Sequence, residues 1–166
     1  MPVAFNVRHR PQEESVQSAS VRQAVLADIE KIVPLFDGYR QFYGQPSDEA
    51  AVRAFLRNRL EQQDSVLFVA ETKGRSVGFT QLYPTFSSVS MARTFVLNDL
   101  FVSSEARRSG VARGLLGAAA HYAREVGAIR LSLSTAITNK PGQALYEGAG
   151  WRRDEVFYYY HFAANV

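Results

Sequence analysis

Leu97-Asn98-Asp99-Leu100-Phe101-Val102-Ser103-Ser104-Glu105-Ala106-Arg107-Arg108-Ser109-Gly110-Val111-Ala112 runs from an apolar strand through a polar, basic turn into a glycine. The bulky residues of Leu97 to Val102 carry the strand signal, and Ser103 to Ala106 is a polar connection. Beyond the turn, Val111, Leu115, Leu116, Ala119, Ala120, Ala123 and Val126 recur at helical spacing, while Arg113, His121, Arg124 and Glu125 fall elsewhere on the wheel. A helix therefore starts near Gly110 and lies on a sheet.

The first turn of such a helix leaves backbone N–H groups without intrahelical partners, and aligned peptide dipoles add partial positive charge there. An anion fits that end. Gly110 and Ala112 let a phosphate approach the main chain, and Arg107 or Arg108 adds charge from the rim. The plain alternative is a glycine that only permits close packing of strand and helix, since short glycine motifs have many false positives.

Working outward, the next informative stretch is Asn139-Lys140-Pro141-Gly142-Gln143-Ala144-Leu145-Tyr146-Glu147-Gly148-Ala149-Gly150-Trp151. Taken in order, Arg107, Gly110 and Ala112 followed by this segment resemble the GNAT family of N-acetyltransferases. In that family an Arg-x-x-Gly-x-Gly/Ala helix start precedes an Asn, Leu-Tyr, Gly-aromatic segment. The resemblance is clear from Leu97 to Trp151 and weaker upstream, where hairpin strands at Val66 to Thr72 and Ser76 to Phe86 sit where the family has them. Ala112, Gly142 and Trp151 depart from the commoner Gly, Ala and Phe without removing a group the chemistry needs. The resemblance implies an α/β GNAT fold. Its central sheet is mixed, with about six to seven strands flanked by about four helices, antiparallel in its N-terminal part and with a parallel pair around the central helix.

Length and composition agree with one compact domain: 166 residues, 46% hydrophobic, are enough for a core. No apolar run is long enough to cross a bilayer, and Met1 to Ser20 lacks the apolar centre of a secretory signal, so the simplest location is cytoplasmic. The chain has no cysteine, which excludes disulfides and thiolate chemistry from its own side chains. His9, His121 and His161 have no mutual ligand spacing, so no metal is expected. The formal charge of +3 comes from scattered Arg rather than a dense tract, which argues against a nucleic-acid module.

Met1 to Ser18 reads as a loose extension and residues 19–166 as the single domain. Ala19 to Val25 is a short strand, followed by a helix with Leu26, Ile29, Ile32, Val33 and Phe36 on one face, bent or shortened at Pro34. A second helix spans about Asp48 to Gln62, capped by Ser47 or Asp48. Between them Tyr39 to Pro46 is an aromatic linker that either covers the core edge or shapes an acceptor pocket. Lys73-Gly74-Arg75 makes the hairpin turn, and Pro84 ends or bends the second hairpin strand. Ile129, Leu131 and Leu133 alternate as a strand that follows the central helix in parallel. Asn139 or Thr138 caps a short helix. Val156 to Phe162 reads as a last strand with rings on both faces, covered either by its own chain or by a second copy in a homodimer.

The resemblance also implies a chemistry: transfer of the acetyl group of acetyl-CoA to a primary amine, by direct attack in a ternary complex. The cofactor side would consist of Leu100, Phe101, Val102, Arg107, Arg108, Ser109, Gly110, Val111, Ala112, Asn139 and Tyr146. The pyrophosphate would sit on the helix mouth and the arm beside the strand. Tyr146 matches the family's acid, and a phenol of ordinary pKa about 10 can protonate a thiolate whose thiol titrates near 8.5. The plain alternative is a packed Tyr bonded to backbone. In simple alternation Asp99 shares a face with Leu97 and Phe101. It is either a base or amine anchor, or a carboxylate paired with Arg93 or another Arg, or one turned to solvent by a bulge. Asn98 and Tyr43 are candidates for substrate contact. The acceptor is a small-molecule or peptide amine, with neither nucleic acid nor membrane as partner. An acyl-CoA-binding regulatory protein with the same fold and little transfer activity is the competing reading.

Overall fold

The computed structural model describes residues 19–164. The extension expected at Met1 to Ser18 lies outside them. The chain opens with β1 (Ser20–Gln23), passes a 3-10 turn (Leu26–Asp28), and forms α1 (Ile29–Phe42) and α2 (Glu49–Gln62). The hairpin β2 (Val66–Thr72) and β3 (Arg75–Ser87) follows, then β4 (Ala92–Val102), α3 (Val111–Glu125), β5 (Arg130–Ser132) and α4 (Lys140–Gly148). The sheet order is β1-β2-β3-β4-β5, antiparallel except for the parallel β4–β5 pair. This is the mixed α/β architecture expected.

The apolar periodicities sort into two layers. Val111, Leu115, Leu116, Ala119 and Ala123 of α3 pack with Phe68, Leu82, Phe95 and Leu97 on one face of the sheet. Ile29, Ile32, Val33 and Phe36 of α1, with Val52 and Leu56 of α2, pack on Leu67, Val69 and Phe79 of the other. Lys73 and Gly74, with φ of 50° and 75°, form a two-residue turn whose left-handed backbone suits the strand twist. Asp48 caps α2 by accepting from Ala51 N at 2.9 Å.

Four expectations change. The sheet has five strands among the described residues, not six or seven, because Val156 to Phe162 forms none. Asp154 Oδ1 accepts from Val156 N and Phe157 N at 2.8 and 3.0 Å, an Asx-type turn that interrupts the extended backbone where the strand would begin. The tail's rings are therefore exposed, and none of the described residues covers them. Second, Pro34 does not shorten α1, which runs on to Phe42; one missing N–H is outweighed by the buried stripe on either side of it. Tyr39 and Phe42, expected in a linker, are thus in the last turn of α1. Third, β3 continues through Pro84, which pairs across from Phe95 beyond the end of β2, where no neighbour needs its N–H.

The fourth correction bears on the site. The β3–β4 register runs Gln81↔Asp99 and then Leu82↔Leu97, so Asn98 is an extra residue, a bulge. The bulge flips the side-chain sequence. Leu97 packs on the α3 face and Phe101 on the α1 face, so Asp99 shares a face with Phe101 but not with Leu97.

Candidate active site

β4 and β5 pair only over Thr94–Val96 and Arg130–Ser132. From Leu97 onward β4 keeps β3 on one edge and, among the described residues, has no strand on the other, while the chain beyond β5 turns through Leu133, Ser134 and Thr135 toward α4. The gap is a cleft of about 590 Å³, with Leu100, Phe101 and Val102 on one wall and Asn139, Leu145 and Tyr146 on another.

One end of the cleft is the start of α3. Gly110 is its N-cap with φ of 85°, a conformation a side chain resists, and no side chain caps the helix there. The first intrahelical bond is Gly114 N to Gly110 O at 3.0 Å, which leaves the amides of Val111, Ala112 and Arg113 without helical acceptors. Gly110, Val111, Ala112 and Arg113 all border the cleft, as do Arg107 and Arg108. Arg108 itself holds a φ of 61°. Arg107 donates through Nε to Val102 O at 3.2 Å, which ties the basic turn to the end of β4. Ser109 is outside the lining, and its hydroxyl donates to Ala106 O at 2.6 Å.

Across the cleft, Asn139 Oδ1 accepts from Gly142 N at 3.1 Å and caps α4, while its Nδ2 donates to Thr135 Oγ1 at 3.0 Å. A Cβ on Gly142 would fall 2.5 Å from that Nδ2, so the glycine makes room for the cap. One turn further, Tyr146 is half-buried against Trp151, with ring centroids 6.4 Å apart. Burial pushes its phenol above the usual 10, with Tyr43 adding to the effect, so it keeps its proton through the neutral range.

Asn98 lines the cleft and Asp99 does not; the carboxylate is 5% exposed and sits behind that lining. Asn98 Nδ2 donates to Asp99 Oδ1 at 3.1 Å. Burial pushes the Asp99 carboxyl up, while the hydrogen bond from Asn98 and the nearby Tyr39 hydroxyl act the other way. Arg93 does not reach it but lies over the Phe86 ring, and among the described residues Asp99 has no ion pair. The bulge turns Asp99 inward rather than to solvent. Its cross-strand partner Gln81 is also buried, donating to Ser65 Oγ at 2.8 Å and leaving its own Oε1 without a partner.

Tyr43 lines the cleft together with Tyr39 and Phe42. Their placement depends on Asp37, which accepts from Ser47 Oγ, Asp48 N and Gln41 Nε2 at 2.7, 2.8 and 2.8 Å and folds the α1–α2 connection back. Phe42 belongs to the aromatic stretch offered as an acceptor pocket, whereas Arg113, Leu133, Ser134 and Thr135 are not singled out by the sequence. Arg113 had a signal, its place in the first turn of α3. The others depend on how the cleft closes. Among the described residues no group of three His, Asp or Glu is arranged to hold a metal, and no helix is long and apolar enough to cross a membrane.

The sheet thus splits beside an uncapped helix start, with a protonated phenol on the far wall. Residues 32–151 match the Acetyltransferase (GNAT) family. The chain belongs to that family and is an acetyl-CoA-dependent N-acetyltransferase. It is 49% identical over 147 residues to the uncharacterized N-acetyltransferase YhfO of Bacillus subtilis strain 168, spanning 89% of this chain and 97% of that one. A probable acetyltransferase of Haemophilus influenzae is 34% identical over 96 residues, 57% of this chain and 66% of the other. The crystal structure of a probable acetyltransferase superposes with a TM-score of 0.85 at 41% identity, covering 89% of this chain and 99% of that one. An aminoglycoside N-acetyltransferase in complex with CoA shares the fold, with a TM-score of 0.72 at 21% identity, covering 87% and 94% of the two chains.

Proposed function

We propose that the start of α3 takes the pyrophosphate of acetyl-CoA, that the cofactor arm runs along the free edge of Leu100 to Val102 past Asn139, and that a primary amine enters beside Asn98 and Tyr43. The observation that carries this reading is that the uncapped α3 amides and the Tyr146 phenol border one cleft. Free amides at a helix start, with Arg107, Arg108 and Arg113 around them, match a doubly charged phosphate bridge. The open edge of β4 offers main-chain groups to an extended amide-containing arm.

Acetyl-CoA supplies an acetyl group on a thioester, open to attack by a neutral amine. Tyr146 Oη would give its proton to the departing sulfur as the C–N bond forms and the C–S bond breaks, and would regain one from solvent before the next turnover. The surplus proton of the amine leaves by way of the Tyr39 hydroxyl, which lines the cleft and is close enough to Asp99 for each to shift the other's titration, and rests on the Asp99 carboxylate. Asp99 thus acts as a base at one remove. Its burial, which favours the protonated form, suits it to accept a proton.

Thiol release from acetyl-CoA across an amine panel, with mass detection of product, tests the reaction. Tyr146→Phe is expected to lower kcat by about 10²–10⁴-fold while leaving CoA binding intact; full turnover across pH would remove Tyr146 from this role. The exposed aromatic run of Val156 to Phe162 supports a homodimer in which a second copy covers it. A monomer in sedimentation at micromolar concentration counts against that.

A further inference from the structure

The cleft lining has an uneven chemistry. Its charged members are Arg107, Arg108 and Arg113; among the described residues no carboxylate borders it, and Asp99, next to the lining residue Asn98, is itself buried. At the α1 end the lining is aromatic. Tyr39 and Tyr43 meet edge-on at 5.1 Å, Phe42 meets Tyr43 at 5.3 Å and 89°, and Phe42 and Tyr43 are 68% and 64% exposed. Tyr43 is also near enough to Tyr146 to affect its titration, which places these rings beside the proposed reacting end.

From this we infer that the acceptor is a monoamine with an aromatic or aliphatic body, seated on Tyr39, Phe42 and Tyr43, and not a polycation. The inference rests on the reading of the cleft given above. A polyamine or aminoglycoside carries several ammonium groups, each needing a carboxylate or a cluster of acceptors once water is displaced. This cleft provides one buried carboxylate, reached through one phenol, which suits one amine. The rings provide an amphipathic surface for an apolar body, and their faces attract a single cation on its way in.

The test uses the full chain at saturating acetyl-CoA with 2-phenylethylamine, hexylamine, spermidine and kanamycin as acceptors. The expected result is a kcat/KM at least about 10-fold higher for the two monoamines, with Phe42→Ala and Tyr43→Ala each raising KM for 2-phenylethylamine about 5–10-fold. Both side chains are exposed, so these variants fold. A polycation used as well as or better than the monoamines, or ring variants with unaltered KM, overturns the inference. Thermal protection by CoA separates the two failures. Protection with kanamycin or spermidine preferred defeats the inference and leaves the cofactor reading standing, whereas no protection and no turnover with any amine defeats both.

Discussion

Asp99→Asn should make the protein more stable and less active. The side chain is 5% exposed and has no ion pair among the described residues, and its charged form is opposed by burial. Asn keeps the shape and removes the charge. It also places an amide N–H beside Gln81, the cross-strand partner whose buried Oε1 has no hydrogen-bond partner, and directly opposed residues lie close enough to meet. A buried polar group short of partners costs about 1–3 kcal/mol. Because Asn98 and Tyr39 already offset part of that, the gain is set at about 1 kcal/mol, which for a chain of this size raises Tm by about 2–4 °C. The pH dependence has a definite sign. The folded carboxyl titrates above its ordinary 3.8, so well below 3.8 both folded and unfolded chains hold the proton and the gain vanishes; it is complete once pH exceeds the raised folded value. Circular dichroism melts of both proteins at neutral and acid pH measure this, and amine kinetics should show kcat down by about 10²–10⁴-fold. A lower Tm at neutral pH, or a gain that persists undiminished in acid, would refute the argument.

Gly142→Ala puts a methyl 2.5 Å from Asn139 Nδ2 and should displace the α4 cap at a cost of about 1 kcal/mol, seen as a lower Tm, with weaker CoA affinity by calorimetry. Gly78→Ala drives a Cβ to 2.8 Å from the Phe101 carbonyl oxygen, a backbone atom that cannot swing aside, and should destabilise by about 1–3 kcal/mol in urea melts. Asp28 is bonded through both oxygens to Arg22 at 2.7 Å, which holds its carboxyl down at about 2. That stability is present above the ordinary 3.8 and lost as pH falls through about 2, so Asp28→Asn should lower Tm at pH 7, with the difference shrinking toward pH 2 and vanishing only below it. With the Arg22 side chain 41% exposed, solvent screening limits the difference to about 1 kcal/mol.

Several features were legible in the residue order alone: the helix opening at Gly110, the Lys73-Gly74 turn, the Asp48 and Asn139 caps, and the apolar stripes of α1 and α3. Each is encoded within about one helical turn or one hairpin, where φ preference, a capping oxygen or periodic burial acts without help from distant chain. The side on which Asp99 lies is not local. One extra residue at Asn98, visible only against the β3 register, moved it away from Leu97 and behind the cleft wall. The short span of β5, which leaves the edge of β4 free, and the turn at Asp154, which left the aromatic tail uncovered, are likewise matters of pairing. A strand's edges and faces are assigned by what lies across from it, and that partner comes from elsewhere in the chain.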